Sequence, residues 1–119
     1  MSESIIGKKS FEFAVIIVNF YRKFTVDKKE YVLSKQLLRS GTSVGANVRE
    51  ALNAQSRLDF IHKLSISQKE CDETIYWLEL LYETQYISKE EFEKLKNPAM
   101  EVLKIIRSII ITTKSKTHN

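Results

Sequence analysis

Chain-breaking residues are scarce in this sequence of 119 residues, which contains only three glycines and one proline. A β-sandwich or a β-barrel needs a turn signal about every 8–12 residues, so the scarcity argues against both. The apolar fraction of 43% is too high for a disordered chain. The length suits a single domain with one hydrophobic core, since domains contain about 100–200 residues. We therefore expect one all-α domain over residues 1–119.

Apolar residues recur at steps of three and four in four stretches, and this period predicts four helices. Each stretch follows a residue whose side chain suits a helix N-cap. The breaks between the stretches are about 2–4 residues long, which favours an antiparallel up-and-down four-helix bundle. At about 1.5 Å per residue, the second and third helices would each be about 40 Å long, so the bundle should be elongated. The expected N-caps are Ser10, Asp27, Ser56 and Ser88, and the expected helices are 10–25, 28–54, 57–86 and 89–113.

Two places inside the predicted helices leave alternatives open. Gly41 and Gly45 either end a helix near residue 40 or let another backbone approach closely, and we favour one long helix that is straight or kinked there. Pro98 follows Asn97 in the fourth predicted helix. Because proline cannot donate a backbone hydrogen bond, that helix is either kinked at Pro98 or divided in two.

The first predicted helix is apolar on more than one side. An ordinary surface helix buries a face of about 100°, whereas apolar side chains cover far more of this helix. The apolar surface around Trp77 in the third helix is also broader than one stripe. This surplus predicts that copies of the chain bury it against one another as a homo-oligomer. The apolar residues that cover this helix include Phe11, Phe13, Val15, Ile17, Val18, Phe20, Tyr21 and Phe24.

No pattern in the chain has the spacing of a catalytic or cofactor site. The sequence contains neither a glycine-rich phosphate loop nor a serine elbow. Asp59-x-x-His62 has the spacing of two metal ligands, but a di-iron bundle needs a second such pair, and the other histidine is His118 in the tail. Cys71 lies on an apolar seam, which predicts a buried thiol. We expect a non-enzyme that holds neither a metal nor a cofactor.

The chain also lacks the patterns of membrane and export segments. No apolar run approaches the length of about 18 residues that a membrane span requires. The first residues lack the basic and then apolar pattern of a signal peptide. We therefore expect a cytoplasmic protein without a membrane partner.

Positive charge is concentrated in the first half of the chain. Residues 1–63 contain 11 Lys and Arg against 6 Asp and Glu, whereas residues 64–119 contain 8 against 9. On the predicted second helix, three of the basic side chains fall within about 40° and a fourth lies about 60° from the first. Such a stripe can follow the phosphates of RNA or DNA. Alternatively, its arginines pair with glutamates of the same or the third helix. The four residues are Lys28, Lys35, Arg39 and Arg49.

Two stretches of the chain resemble the signatures of one family. Residues 31–51, YVLSKQLLRSGTSVGANVREA, resemble the pattern Q-L-x-R-(S/A)-x-x-S-(I/V)-x-x-N-(I/V)-x-E-(A/G). That pattern belongs to the four-helix bundle family named for proteins encoded within intervening sequences of bacterial 23S rRNA genes. Residues 69–81, KECDETIYWLELL, resemble the third-helix signature of the same family. The resemblance covers about residues 9–113.

The resemblance implies an up-and-down bundle that associates as a homopentameric ring. The family is similar in fold to the accessory protein of diversity-generating retroelements, in which a basic pentameric barrel binds nucleic acid and a reverse transcriptase. The partners expected from the resemblance are therefore further copies of the chain, RNA or DNA, and a reverse transcriptase or another protein. The positions that match the two signatures are Gln36, Arg39, Ser43, Asn47 and Glu50 in the first and Glu73 and Trp77 in the second.

Two hypotheses about function follow. In the first, an oligomeric, non-catalytic bundle binds nucleic acid through Lys28, Lys35, Arg39 and Arg49. In the second, the chain is a structural or protein-docking scaffold whose basic stripe is paired internally. In both, we expect the remaining signature residues to act as structural or interface determinants, because Gln36, Ser43 and Asn47 lie on one face beside small residues and can fix helix register.

Overall fold

The computed structural model describes residues 4–117, and this part of the chain contains four helices and no strand. Each helix packs against its neighbours in sequence, and the first also packs against the fourth, which closes the bundle. The bundle measures 51 × 24 × 23 Å, so the expected elongated four-helix bundle is confirmed. No helix within residues 4–117 is long and apolar enough to cross a membrane. The helices are α1 (Ile5–Lys28), α2 (Leu33–Leu52), α3 (Arg57–Glu83) and α4 (Lys89–Thr117).

Contacts between α2 and α3 establish that these helices run in opposite directions. The hydroxyl groups of Ser40 and Thr74 are hydrogen-bonded at 2.9 Å, and the Ser67 hydroxyl donates to the Val44 carbonyl at 2.7 Å. From Ser40 to Val44 the chain advances along α2, whereas their partners on α3 go back from Thr74 to Ser67, as in an antiparallel pair. Both hydrogen bonds lie inside the core, where unpaired hydroxyl groups would be costly, so they fix the register of the two helices.

Helix α1 begins five residues before the predicted start. Ser4, not Ser10, is the N-cap, and its hydroxyl oxygen accepts a hydrogen bond from the Gly7 amide at 3.2 Å. Ser10 is buried inside the helix, where its hydroxyl donates to the Gly7 carbonyl at 3.3 Å. The Ser10 side chain can be buried because its hydroxyl is satisfied by its own helix, and the capping pattern read at this residue is therefore wrong.

Helix α2, in contrast, begins five residues later than predicted, at Leu33. Asp27 does not open it, since α1 continues to Lys28 and Lys29 then takes the left-handed conformation, with φ of 53°. The carboxylate of Glu30 caps α2 by accepting hydrogen bonds from the amides of Leu33 at 2.9 Å and Ser34 at 2.8 Å. The Asp27 and Glu30 pair was thus misread, because the glutamate itself satisfies the free amides of the helix.

The predicted caps of α3 and α4 are confirmed. Ser56 accepts from the Asp59 amide at 3.0 Å, and Ser88 accepts from the Glu91 amide at 3.1 Å. Helix α3 ends at Glu83 rather than near residue 86, and α4 continues to Thr117 rather than ending near residue 113. Helix α4 runs without a break through Pro98, and α2 runs without a break through its glycines.

The two glycines of α2 allow α1 to approach closely. A Cβ atom on Gly41 would lie 2.9 Å from Cγ2 of Ile17, and one on Gly45 would lie 3.1 Å from the carbonyl oxygen of Ser10. Ile17 is completely buried, so it has little room to move. The close-approach interpretation of these glycines is therefore confirmed, and it explains why they do not end the helix.

We expect Gly41→Ala to destabilise the protein. The clash with Ile17 should cost about 1–3 kcal/mol, which exceeds the gain of about 1 kcal/mol in helix propensity. Thermal unfolding followed by circular dichroism at a fixed protein concentration would measure the change. Gly7→Ala is the matched control, because its nearest neighbour is the end of the exposed Leu52 side chain, which can move away. A rise in Tm for Gly41→Ala equal to that for Gly7→Ala would contradict the packing described.

Candidate functional site

A group of exposed basic residues surrounds the turn between α1 and α2. Lys28 is the last residue of α1, Lys29 forms the turn, and Lys35 lies in the first turn of α2. All three are exposed, and none of them forms an ion pair within 4.0 Å in the described part of the chain. Tyr31 lies between them in sequence and is 58% exposed. We call Lys28, Lys29, Tyr31 and Lys35 the basic corner.

The acidic residues near the basic corner compensate only part of its charge. Glu30 holds three amides at the start of α2, and despite its partial burial these amides keep the pKa of its carboxyl below the usual value. Asp27 is exposed. Over residues 22–35 the chain has five cations (two from Arg22 and Lys23, three from the corner) and two carboxylates, which leaves an excess of three positive charges. The corner can therefore attract a polyanion.

The four predicted basic residues do not form one stripe on the second helix. Lys28 belongs to α1, so its predicted place on the second helix is wrong, because α1 continues past Asp27. Arg49 lies on α2 with its guanidinium 5.8 Å from the centre of the Phe11 ring on α1. Arg39 is paired with α3. The structure thus places Lys28 and Lys35 on either side of the turn between α1 and α2 and directs the two arginines to neighbouring helices.

Arg39 is the centre of an ion-pair cluster between α2 and α3. Its Nη1 lies 3.1 Å from Oε2 of Glu70, and its Nη2 is hydrogen-bonded to Oε2 of Glu73. The Trp77 indole N–H donates to the same Glu73 oxygen at 3.0 Å. The hydrogen bond to Glu73 raises the pKa of Arg39, while the Trp77 indole and then Arg39 lower the pKa of Glu73. Three residues of the two signatures thus form one contact, as the internal-pairing alternative expected for Arg39.

The other signature residues on α2 make mostly local contacts. Gln36 accepts from Nε of Arg39 at 3.5 Å, and the Ser43 hydroxyl donates to the Arg39 carbonyl at 2.6 Å. Asn47 donates to the Ser43 carbonyl at 2.9 Å. Glu50 instead pairs across the helices with Lys63, 3.0 Å away. Within the described chain, Ser43 and Asn47 therefore do not bond across to α3.

The fully buried hydrogen bonds between α2 and α3 come from residues that the sequence analysis did not single out. Ser40, Ser67 and Thr74 are completely buried and link α2 to α3. Their positions on the apolar seam of each helix could have predicted these hydrogen bonds, because a hydroxyl group at a core position needs a hydrogen-bond partner within reach.

An apolar face remains exposed on the outer side of α1 and α2. Phe11, Val15 and Val18 follow one another at helical spacing and are 56%, 44% and 36% exposed. Phe11 lines an open groove of about 910 Å³ between the two helices, whose α2 side includes the small residues Thr42, Gly45 and Ala46. The predicted apolar surplus of the first helix is thus present on the surface. We call Phe11, Val15 and Val18 the α1 outer face.

The candidates for metal binding and thiol chemistry lie apart from these surfaces. Cys71 is buried as expected, and its thiol donates to the Ala99 carbonyl at 3.3 Å. Burial raises the pKa of this thiol to about 12, which keeps it protonated at neutral pH. His62 is exposed on α3, and residues 4–117 contain no group of three or more side chains suited to hold a metal ion. His118 lies outside the described residues.

Comparisons with known proteins agree on the family. The sequence profile of the 23S rRNA-intervening sequence protein family matches residues 2–108. A crystal structure from Bacteroides thetaiotaomicron VPI-5482, described as a protein of unknown function from the S23 ribosomal protein family, is similar at a TM-score of 0.85 and 58% sequence identity. The match covers 89% of this chain and 98% of that one. The curated proteins contain no significant match.

We expect Glu73→Gln to destabilise the protein near neutral pH by about 1–2 kcal/mol. Hydrogen bonds to a charged group contribute about 1.5–3 kcal/mol, and the partial exposure of Arg39 and Glu73 reduces this contribution. Because the folded pKa of Glu73 is lowered, its contribution is present above the usual glutamate pKa of 4.5 and is lost as the pH falls through the folded value. The difference between wild type and variant should therefore shrink in acid. Urea unfolding followed by the fluorescence of Trp77, the one tryptophan, measures it.

Glu79→Gln provides the control for this experiment, because Glu79 is exposed on α3 and has no ion pair among the described residues. It should change stability by less than about 0.5 kcal/mol. An equal effect of the two substitutions, or a Glu73→Gln effect that does not depend on pH, would contradict the assignment.

Proposed function

The chain belongs to the 23S rRNA-intervening sequence protein family, and we propose that it is a non-catalytic homo-oligomeric bundle that binds RNA or DNA through the basic corner of each subunit. The observation that carries this proposal is the group of three exposed lysines at one turn, none of which has an ion-pair partner in the described chain. Lysine side chains free of internal partners can neutralise phosphates and release the counterions bound to them.

The lysines of the basic corner have no ion-pair partner in residues 4–117, whereas Arg39 and Arg49, the other predicted basic residues, are held by other side chains. The charge of Arg39 is satisfied by Glu70 and Glu73, so moving it to a phosphate would break two ion pairs. Arg49 is held over Phe11. Lys28 and Lys35 therefore remain as the phosphate-binding residues of the original four, joined by Lys29. Their contacts would reach the nucleic-acid backbone, which gives affinity without base sequence preference.

The α1 outer face supports the oligomeric part of the proposal. Three large apolar side chains at helical spacing, beside small residues of α2, form a surface that a second subunit can cover. The pentameric ring is the arrangement that family resemblance suggests. In a ring, each basic corner recurs once per subunit, so weak phosphate contacts on one nucleic-acid strand add through effective concentration.

The paired Arg39 cluster favours a second candidate function, that of a scaffold. If the lysines of the corner bind nothing, the chain still carries an outer face for self-association and an internally satisfied signature. This candidate predicts an oligomer of the same size with no affinity for nucleic acid, so the two functions separate in a binding measurement.

We expect an RNA probe to bind at low salt and to dissociate steeply as salt rises. The double variant Lys28→Gln with Lys35→Gln should weaken binding and make the plot of log K against log salt shallower by about 1 for each phosphate contact removed. Fluorescence anisotropy with labelled RNA or DNA measures both quantities.

The matched control is Lys104→Gln with Lys114→Gln, which removes the same charge from exposed positions of α4. It should leave most of the affinity and the salt slope in place. No binding by the wild type at about 50 mM salt, where phosphate contacts are strong, would favour the scaffold. An equal loss in both double variants would show that net charge, not the corner, determines binding.

We expect the substitutions Phe11→Glu and Val15→Glu together to dissociate the oligomer, because two carboxylates would be buried without partners in an apolar contact. Light scattering should give a mass near 70 kDa for the wild type if it is a pentamer, five times the chain mass, and 13.9 kDa for the variant. Ile111→Glu, at a residue on α4 that is 68% exposed, is the control and should remain assembled. A wild type of 13.9 kDa would contradict self-association.

A further inference from the structure

We propose that the groove between α1 and α4 receives an unpaired nucleobase, so that the nucleic acid held at the basic corner is single-stranded. This inference rests on the proposed function and specifies its ligand. The groove begins at Lys28, which lines it and also belongs to the basic corner. A strand whose phosphates contact the corner can therefore place a neighbouring base in the groove.

The groove exists because α1 and α4 pack less closely than the other neighbouring helices. Its volume is about 640 Å³, within the range of about 300–1,000 Å³ that is typical of small-molecule sites. Its apolar lining comes from Ile16, Phe20, Phe24 and Leu95. Such a space can admit one base, whereas the stacked pairs of a duplex would keep their bases out of it.

Two phenylalanines form the aromatic part of the lining. The Phe20 and Phe24 rings are stacked with their centres 5.0 Å apart, and Phe24 also meets the edge of Tyr86 at 6.0 Å. Phe24 is buried, whereas Phe20 is only half-buried. Stacking on the buried Phe24 ring thus orients Phe20 at the groove. An ordered aromatic ring beside unpaired lysines is the arrangement on which single-stranded nucleic acids stack.

The polar groups of the groove indicate a base rather than a phosphate as its occupant. Asn19, Asp27 and Glu91 line it, and no ion pair within 4.0 Å engages either carboxylate in residues 4–117. Carboxylates repel a phosphate but accept hydrogen bonds from the exocyclic amino group of a base. Cytosine, which carries such a group, should therefore enter more favourably than uracil, which is of similar size but lacks it.

Three lysines at the same groove can hold the phosphates that flank the base. Lys23 and Lys28 come from α1 and Lys94 from α4, and none of them has an ion-pair partner within the described helices. The apolar residues Ile16 and Phe20 of the groove lie on a different side of α1 from its outer face, since they are separated from Val15 and Val18 around the helix axis by more than 90°. Subunit association and base binding can therefore occur together.

The test compares a labelled mixed-sequence oligonucleotide of about 12 residues, as RNA and as DNA, with the same strand in a duplex. We expect the wild type to bind the single strand about tenfold more tightly than the duplex, and Phe20→Leu to abolish most of this preference because leucine keeps the apolar packing but removes the ring. Oligocytidine should bind about fivefold more tightly than oligouridine. The RNA and DNA arms report whether the sugar contributes.

Phe92→Leu is the matched control, because Phe92 is half-buried on α4 and stacks on Tyr82 outside the groove. It should keep the single-strand preference, and circular dichroism checks that both variants are folded. If the wild type binds single strand and duplex equally and Phe20→Leu changes nothing, the groove inference is overturned, while a loss of binding in the Lys28 and Lys35 double variant still supports the basic corner. If neither probe binds at low salt, the proposed function and the groove inference both fail.

Discussion

The close approach of α1 to α2 is the contact on which the rest of the arrangement depends. Gly45 lies against the backbone of Ser10, and Gly41 lies against Ile17, so neither position leaves room for a side chain. This contact determines which side of α1 faces the core, because Ile17 and Ser10 are directed at α2. Phe11, Val15 and Val18 lie on other sides of the helix and remain outside the bundle. The contact thus determines which apolar residues are available for association.

The contrast between the paired and unpaired cations has a similar structural origin. Arg39 lies in the middle of α2, where the register with α3 brings Glu70 and Glu73 within reach. Lys28 and Lys29 lie at a turn and have no carboxylate within ion-pair distance in residues 4–117, and Glu30 is occupied by the amides of α2. The chain therefore pairs Arg39 within a helix interface and leaves the lysines of the corner without an ion-pair partner in residues 4–117, and this difference is the basis of the proposed polyanion site.

The sequence predicted those features that depend on local chemistry or on helical period. The Ser56 and Ser88 caps, the burial of Cys71 and the bundle itself follow from such signals. The start of α1 did not, because a serine suited to capping also occurs at Ser10, and only packing against α2 decides which serine remains inside the helix. The sequence predicted glutamates as possible partners of Arg39, but it could not identify which ones, since that depends on the register between the helices. The α1–α4 groove depends on interhelical spacing, for which the sequence contains no direct signal.

Helix α1 contributes apolar side chains to the core, to the outer face and to the groove, and this accounts for its unusual composition. Phe13 and Ile17 lie in the core, the outer face lies on another side of the helix, and Phe20 lines the groove at the edge of the core side. A helix that served only the core would need one apolar stripe. If the outer face joins subunits and the groove binds a base, the helix needs apolar residues at all three places, and the groove also carries the charged residues Lys23 and Asp27. The apolar character that first indicated self-association would then reflect two kinds of partner, another subunit and an unpaired base.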